Sequence, residues 1–558
     1  MRYSKAINKT DQKTQAKSNQ VKNNAGGYVF DAGIWTTLER FLVLGSESPT
    51  YYVGKQKLTM SNSMNLINCL KADFLKTVDT IKDFAANNRA IKNDTLIFAL
   101  AMAIKNAANP EQKNYAFNAL NDVCRIGTHI LQFVNALNDI DAGWGRSNSR
   151  HIAKWYTDKD VDNLAYQLVK YQTRESISHR DVLRLCHARP NDAVQNAIFR
   201  YVATEGKDFS KRSVDRKKEG TRIYDSLKKS DLPSIISAFE ESKKIGAQYE
   251  KASTKEKNAL AKKIVALIEN YNLPRECIPT SMLNDTNIWE ALMYKMSGVA
   301  LLRNLNKLAE LELTKTFSDG EKFVAEKLTN ADFIKKSRLH PFQVYWGRKT
   351  YSSGKGFRGS KTWTPSVKIN DALEDAFSLS FGNLEKSDKN VMIAADVSGS
   401  MGWGFIANSN ITPAEASAAL IYIFLKQYKN VIVGAFSDSF TLTKITSKQS
   451  IEAVAKTLAS IPMGGTDCSL PMVYAKKAKL DVDSFITLTD SETWSGNIHP
   501  FQALKSFRAA QQKPLAKNVV VGMVANNFSI ADPSDHGMLD VVGFDAGCPN
   551  LISDFINS

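Results

Sequence analysis

The apolar run Val391–Ala395 closes on Asp396-Val397-Ser398-Gly399-Ser400, and this join constrains the chain more than any other stretch. Continuous apolar residues ending in a polar, glycine-bearing turn read as a strand buried on both faces, the kind found in parallel sheets. Short oxygen side chains at i, i+2 and i+4 converge only if the loop after the strand curls around one small hard cation. Two further oxygens follow in order. Thr466 sits in Gly464-Gly465-Thr466-Asp467, and Asp490 ends the strand-like run Phe485-Ile486-Thr487-Leu488-Thr489. The plain alternative is a serine-rich turn after a strand, which the ordered addition of Thr466 and Asp490 disfavours.

Every candidate donor is a hydroxyl or a carboxylate, so Mg²⁺, or Mn²⁺ in its place, suits the set and Zn²⁺ does not. The pattern resembles the metal-ion-dependent adhesion site of von Willebrand factor A-type domains. That resemblance implies direct binding by Ser398, Ser400 and Thr466, with Asp396 and Asp490 acting directly or through water. One position would stay open for water or for the carboxylate of an acidic protein ligand. Binding is therefore expected rather than catalysis. A hydrolase needs a nucleophile with a base, yet Asp396 lacks a second Asp two residues on, and Ser398 lies in no G-x-S-x-G elbow.

A chain of 558 residues exceeds one ordinary core, so at least two domains are expected. The longest apolar run, Leu96–Ile104, falls far short of the roughly 18 residues of a membrane span. The polar start, MRYSKAINKT, has no apolar segment of a secretory signal. Six scattered cysteines with no C-x-x-C pair read as reduced, buried thiols of a cytoplasmic protein. The net charge of +16 is unevenly placed. Residues 391–558 hold 12 Lys+Arg against 14 Asp+Glu, leaving 61 against 43 for residues 1–390. An excess of +18 confined to the first part points to a polyanion, most often nucleic acid, against the alternative of a generally basic soluble protein.

Residues 1–27 are polar and end in Gly26-Gly27, which predicts a disordered arm. From about residue 60 to 340 the periodicity is helical, with Met64, Ile67, Leu70, Phe74, Val78 and Ile81 on one face and Asp94 capping a further helix. Successive helices without strands predict an all-α stacked array over 28–363. A connecting helix and linker over 364–389 lead to 390–558. There, strand-like runs at 391–395, 430–436, 484–489 and 518–524 alternate with helical ones, predicting an α/β doubly wound parallel sheet.

Lys170 and Arg174 are spaced one helical turn apart, and His179, Arg180, Arg184 and His187 follow on the next predicted helix. The basic run Lys211–Lys229 is interrupted by acids and reads as a solvated helix. Lys335–Trp363 mixes cations with Phe342, Tyr345, Trp346, Tyr351, Phe357 and Trp363. Such a mixture fits a single-strand groove or a domain junction equally well. Gly354–Gly359 matches G-x-G-x-x-G in letters only, because it follows no strand.

Taken in order, these segments resemble the Ro ribonucleoprotein (Ro autoantigen) family from about Tyr28 to the C-terminus. The resemblance is carried by Gly45-Ser46-Glu47 with Tyr51-Tyr52, Val123–His129, Trp144-Gly145-Arg146 and His179–Pro190. It continues through Ala300–Asn304, Arg338–Phe342, Gly464–Met472 and Ala531–Asp545. It implies a monomeric, non-enzymatic ring of HEAT-like helical repeats closed by the A-type domain. Such a ring binds small noncoding Y-like RNA on its outer surface and misfolded or single-stranded RNA 3′ ends in its hole. The implied role is RNA quality control, with an exoribonuclease engaged through the RNA. The Y-RNA contacts carry onto Lys170, Arg174 and His187. Gln172 and Ile177 depart from the family pattern, where a base and a Trp are common. The competing class is a metal-dependent, adhesion-like protein-binding module whose basic charge is incidental.

Overall fold

The computed structural model describes residues 9–44, 63–206, 232–356, 361–382, 386–402 and 409–558, with positions 384, 405 and 406 and the strand backbones 214–217 and 220–223. The segments Gly45-Ser46-Glu47 and Tyr51-Tyr52, the side chains of Lys211–Lys229, and Phe357 and Arg358 lie outside the described residues.

The last third is built on a six-stranded sheet. Its strands run in the spatial order Met538–Val542, Lys517–Gly522, Ser484–Thr489, Ser387–Asp396, Tyr428–Phe436 and Phe440–Leu442. All neighbours are parallel except the final hairpin pair. Alternation along the central strand explains why it is apolar throughout. Val391, Ile393 and Ala395 join one core cluster with Leu420, Phe424 and Val454, whereas Met392 and Ala394 join another with Met472, Leu504 and Phe507. Helices therefore cover both faces, as a doubly wound sheet requires. The chain leaves this strand first toward Tyr428–Phe436 and later returns to its other side at Ser484–Thr489. That reversal opens a crevice at the strands' carboxyl ends, where such sheets take ligands.

The first part is a succession of helices from Gly33–Leu44 to Pro341–Ser352, packed on neighbours close in the chain though not always on the next one. The stripe read across Met64–Ile81 belongs to two helices, Met64–Ala72 and Phe74–Ala86. Asp73 is extended (φ −155°) and accepts from the Lys76 N–H, so it ends one helix and caps the other. Asp94 lies in the first turn of Asn93–Asn106 rather than at its cap. Two short hairpins, 173–178 and 214–223, interrupt what the periodicity reads as strand-free. The array closes on its own beginning. Arg338 donates to Ala86 O at 2.6 Å, Asn88 donates to Arg338 O at 3.0 Å, and Gln343 donates to Ile91 O at 2.8 Å.

The seam faces the sheet domain. Phe342 meets Phe544 edge to face at 5.0 Å, and Arg89 donates to Asp545 from its Nε at 2.8 Å while pairing with Asp83 at 2.6 Å. Arg40, 1% exposed, pairs with Asp540 at 2.6 Å and donates to Phe528 O. Arg348 binds Glu374 and Glu452, and Lys349 binds Glu415 at 2.6 Å. Phe342, Tyr345 and Tyr351 are buried. For its described residues, then, Lys335–Trp363 is largely the domain junction. All six cysteines are buried and none forms a disulfide. Among the described residues, no helix is long and apolar enough to cross a membrane.

The expectation of a disordered arm over 1–27 fails from residue 9 onward. Gln20–Lys22 and Tyr28–Asp31 form an antiparallel hairpin that adds Phe528–Ser529 as its third strand. Low hydrophobicity does not signal this order, because the arm is held by side-chain amides rather than by an apolar stripe. Gln12, Gln20 and Asn23 are all buried.

Candidate metal centre and nucleic-acid interface

Pairing of Ser387–Asp396 with both Tyr428–Phe436 and Ser484–Thr489 brings the polar loops to one edge of the sheet. Asp396 ends its strand fully buried, and Asp490 follows Thr489 at 1% exposure. The Asp396 carboxylate accepts from the Ser398 N–H at 2.9 Å and from the Thr489 hydroxyl at 2.7 Å. These partners are uncharged, and burial together with the nearby Asp490 carboxylate raises the Asp396 pKa. Ser398 and Ser400 place their hydroxyl oxygens 3.2 Å apart. Asp490 accepts from the Glu492 N–H at 3.0 Å, and the buried Ser491 hydroxyl has no hydrogen-bond partner.

Thr466 is also buried and reaches this edge through its neighbours. The Asp467 N–H donates to Ser437 O at 2.8 Å, and Thr466 O accepts from the N–H groups of Trp494 and Ser495. The loops bearing Thr466 and Asp490 are thereby tied together. At Gly464 a Cβ would come within 2.6 Å of the exposed Asp438 carboxylate, which would have to swing aside. Two buried carboxylates beside a hydroxyl pair, with a further orphaned hydroxyl, form a donor set suited to a small hard cation. Among the described residues there is no group of three or more His, Cys, Asp or Glu side chains that could hold a metal, so hydroxyl oxygens are indispensable to such a site.

The second candidate region departs from its sequence reading. Helix Val161–Lys170 ends at Lys170, where the Tyr171 N–H closes on Gln167 O, so Arg174 is not on the same helix face. Arg174 lies in a hairpin, paired with Ile177. Its turn, Glu175-Ser176, has φ of +49° and +70°, the left-handed pair of a two-residue hairpin loop. Ser178 then caps helix His179–Cys186 in a capping box with Asp181. The Lys170 ammonium lies 3.2 Å from the Tyr166 hydroxyl and over the rings of Tyr166 and Tyr171. Burial works against its charge, but the neighbouring phenols outweigh that and its pKa is raised. Arg174 is exposed beside Glu175 at 3.4 Å, a weak surface pair that leaves the guanidinium available.

His187 ends its helix in the left-handed conformation (φ +49°) and is exposed. It lies a helix of about 12 Å beyond the hairpin, from eight residues at ~1.5 Å each. The three residues thus come from three separate local elements rather than from one helix face. His179 is buried and donates or accepts at the Tyr156 hydroxyl at 2.9 Å, which makes it core; burial lowers its pKa to about 4. Arg180 pairs with Glu205 at 2.6 Å. Tyr166, the seat of Lys170, is not among the residues singled out by the sequence. The aromatic pair Tyr166 and Tyr171 flanking it, at i−4 and i+1, was the available signal.

Residues 21–350 match the TROVE domain family, and residues 390–556 match the Ro60 vWA domain family. The chain is 35% identical over 538 residues to the RNA-binding protein RO60 of Deinococcus radiodurans, covering 96% of this chain and 95% of that protein. It is 34% identical over 594 residues to the RNA-binding protein RO60 of Caenorhabditis elegans, covering 98% and 91%. The crystal structure of the Deinococcus radiodurans RO (RSR) protein superposes with a TM-score of 0.67 at 33% identity, covering 94% of this chain and 99% of that one. The chain belongs to the Ro60 family, with a TROVE helical part followed by a Ro60 vWA domain.

Proposed function

We propose that this protein is an RNA-binding scaffold without a catalytic step of its own. It would hold a small structured, Y-like RNA along the strip marked by Lys170, Arg174 and His187, and take single-stranded 3′ ends into the ring. The observation that carries this reading is a coincidence of place. Residues 21–350, which match the TROVE family, hold 50 Lys+Arg against 37 Asp+Glu and so carry most of the chain's positive excess, and the relatives of the chain bear the name RNA-binding protein. Cations on a surface strip neutralise phosphates, and the rings beside Lys170 steady its ammonium for that contact. Action in RNA quality control, with an exoribonuclease reached through the RNA in the cytoplasm, extends the same reading.

The vWA centre would hold Mg²⁺ or Mn²⁺ through Ser398, Ser400 and Thr466, with Asp396 and Asp490 completing the set. The cation would supply a Lewis-acidic docking point for a carboxylate of a protein partner. An adhesion-like module with incidental basic charge explains this centre alone. It leaves the basic helical part without a purpose, so the scaffold reading is preferred.

A structured RNA carrying a single-stranded 3′ tail is expected to bind more tightly than the same RNA with a blunt end, because one strand enters an opening that a duplex cannot. Gel-shift titrations of the two forms measure this, and equal affinities would remove the threading step. His187→Ser is expected to weaken Y-like RNA modestly with little change in salt dependence, as loss of a base or sugar contact rather than a phosphate contact would do. An unchanged dissociation constant would exclude it from the strip.

A further inference from the structure

We infer that the N-terminal arm, through Gln12 and Asn23, clamps the two loops that carry Thr466 and Asp490 and so sets the divalent-cation affinity of the vWA centre. This inference rests on the cation reading above.

The contacts are specific and buried. Gln12 is 0% exposed, and every polar group it has is used. Its Nε2 donates to Asp467 Oδ1 at 2.7 Å and to Ile498 O at 2.8 Å, while its Oε1 accepts from the Thr493 hydroxyl at 2.6 Å. Its backbone donates to Gly496 O and accepts from the Tyr28 N–H. Asn23 donates to Thr493 O at 2.9 Å and more distantly to Ser491 O, and its Oδ1 accepts from the Gly27 N–H. Asn24 donates to Glu492 at 2.7 Å. The chain has been shaped around this docking. A Cβ at Gly496 would lie 2.3 Å from both Gln12 Nε2 and Asp467 Oδ1, and one at Gly27 would lie 1.9 Å from Thr493 O. Larger residues at either position would push the arm away.

Position explains why this matters for a cation. Asp396 is fixed by its strand, and Asp490 directly follows one. Thr466 has no such support, because it lies in the irregular segment between helices Ile451–Ala459 and Leu470–Lys477. What holds it is Asp467 on one side and the 493–495 backbone on the other, and Gln12 bridges both. Ligand oxygens must be held to within about half an ångström, and outer partners commonly decide metal affinity. Linkage makes the effect reciprocal. If the docked arm favours the cation, the bound cation must favour the docked arm by the same factor.

The test is a titration of the full-length protein with Mn²⁺, followed by electron paramagnetic resonance, together with limited trypsin digestion. Combining Gln12→Ala with Asn23→Ala should weaken Mn²⁺ binding about tenfold or more, within the usual range of coupling between sites. Asn19→Ala, on the exposed part of the arm, should leave it unchanged. In the wild-type protein, cleavage after Lys13 and Lys17 should be slower in Mg²⁺ than in EDTA, a readout that a merely structural arm would not move. Equal Mn²⁺ affinity in wild type and double variant overturns the clamp. So does cleavage at the same rate with and without Mg²⁺, a result that does not depend on how well the variant folds. A wild-type protein that binds no Mn²⁺ overturns the cation reading and the clamp together, which separates that failure from failure of the clamp alone.

Discussion

Asp396→Ala is expected to abolish Mg²⁺ and Mn²⁺ binding while leaving affinity for structured RNA within about twofold. Asp396 sits on the central strand with Ser398 N–H and Thr489 bonded to its two oxygens, so it orients the loop as well as offering a ligand. Its removal takes both away. The RNA strip lies in the helical part, where the charge excess is, and does not touch this loop. Thermal unfolding gives a second measure. A ligand at 100 times its Kd stabilises the folded state by about 2.7 kcal/mol, so Mg²⁺ should raise the wild-type midpoint and leave the variant's where it is. Asp396→Asn, close in shape, guards against a packing artefact and should behave alike. Metal-induced stabilisation that survives in both variants would show that the cation, if bound, sits elsewhere.

The sheet and its loops were legible because their signals are local. Val391–Ala395 is apolar at every position, as burial on both faces demands, and strand Ser484–Thr489 was bounded to the residue. Met538–Val542 was missed because Asp540 interrupts it. That carboxylate is turned to Arg40, a partner 500 residues away that no sequence window contains. The same reason hid the arm. Gln12 and Asn23 look like ornaments of a polar tail until Asp467, Ser491 and Thr493 are placed beside them. Motif matches in Arg338–Phe342 and Ala531–Asp545 were legible as resemblance but mute about cause. The fold supplies it: Arg338 closes the helical array, and Phe342 packs on Phe544 across the junction.

Lys170 and Arg174 meet a subtler limit. A spacing of four predicts one face only while the helix continues, and nothing local marked its end at Lys170. The hairpin needs Glu175 and Ser176 in a left-handed turn, which their residue types do not advertise. The structure replaces one helix face with a different presentation of the same two charges. Lys170 is braced at a helix end by two phenols, and Arg174 is carried on the strand of an exposed hairpin.

That presentation gives the double change Lys170→Ala with Arg174→Ala a large expected effect. Each hydrogen bond to a charged group contributes roughly 1.5–3 kcal/mol, so losing two should weaken binding of Y-like RNA about a hundredfold or more at low salt. Each lost phosphate contact should also lower the slope of log affinity against log salt by roughly 0.7–0.9, or about 1.5 for the pair. The two measurements discriminate between roles. If Lys170 and Arg174 contact phosphates, affinity and slope fall together and the deficit narrows as salt rises. If instead Arg174 reads a base edge, affinity falls with the slope reduced by only about one contact. Since the two side chains come from separate elements, the single changes should also be nearly additive, which a shared helix face contacting one phosphate would not give. Wild-type affinity and wild-type slope in the double variant would reduce both to a solvated surface and move the RNA site elsewhere on the helical part.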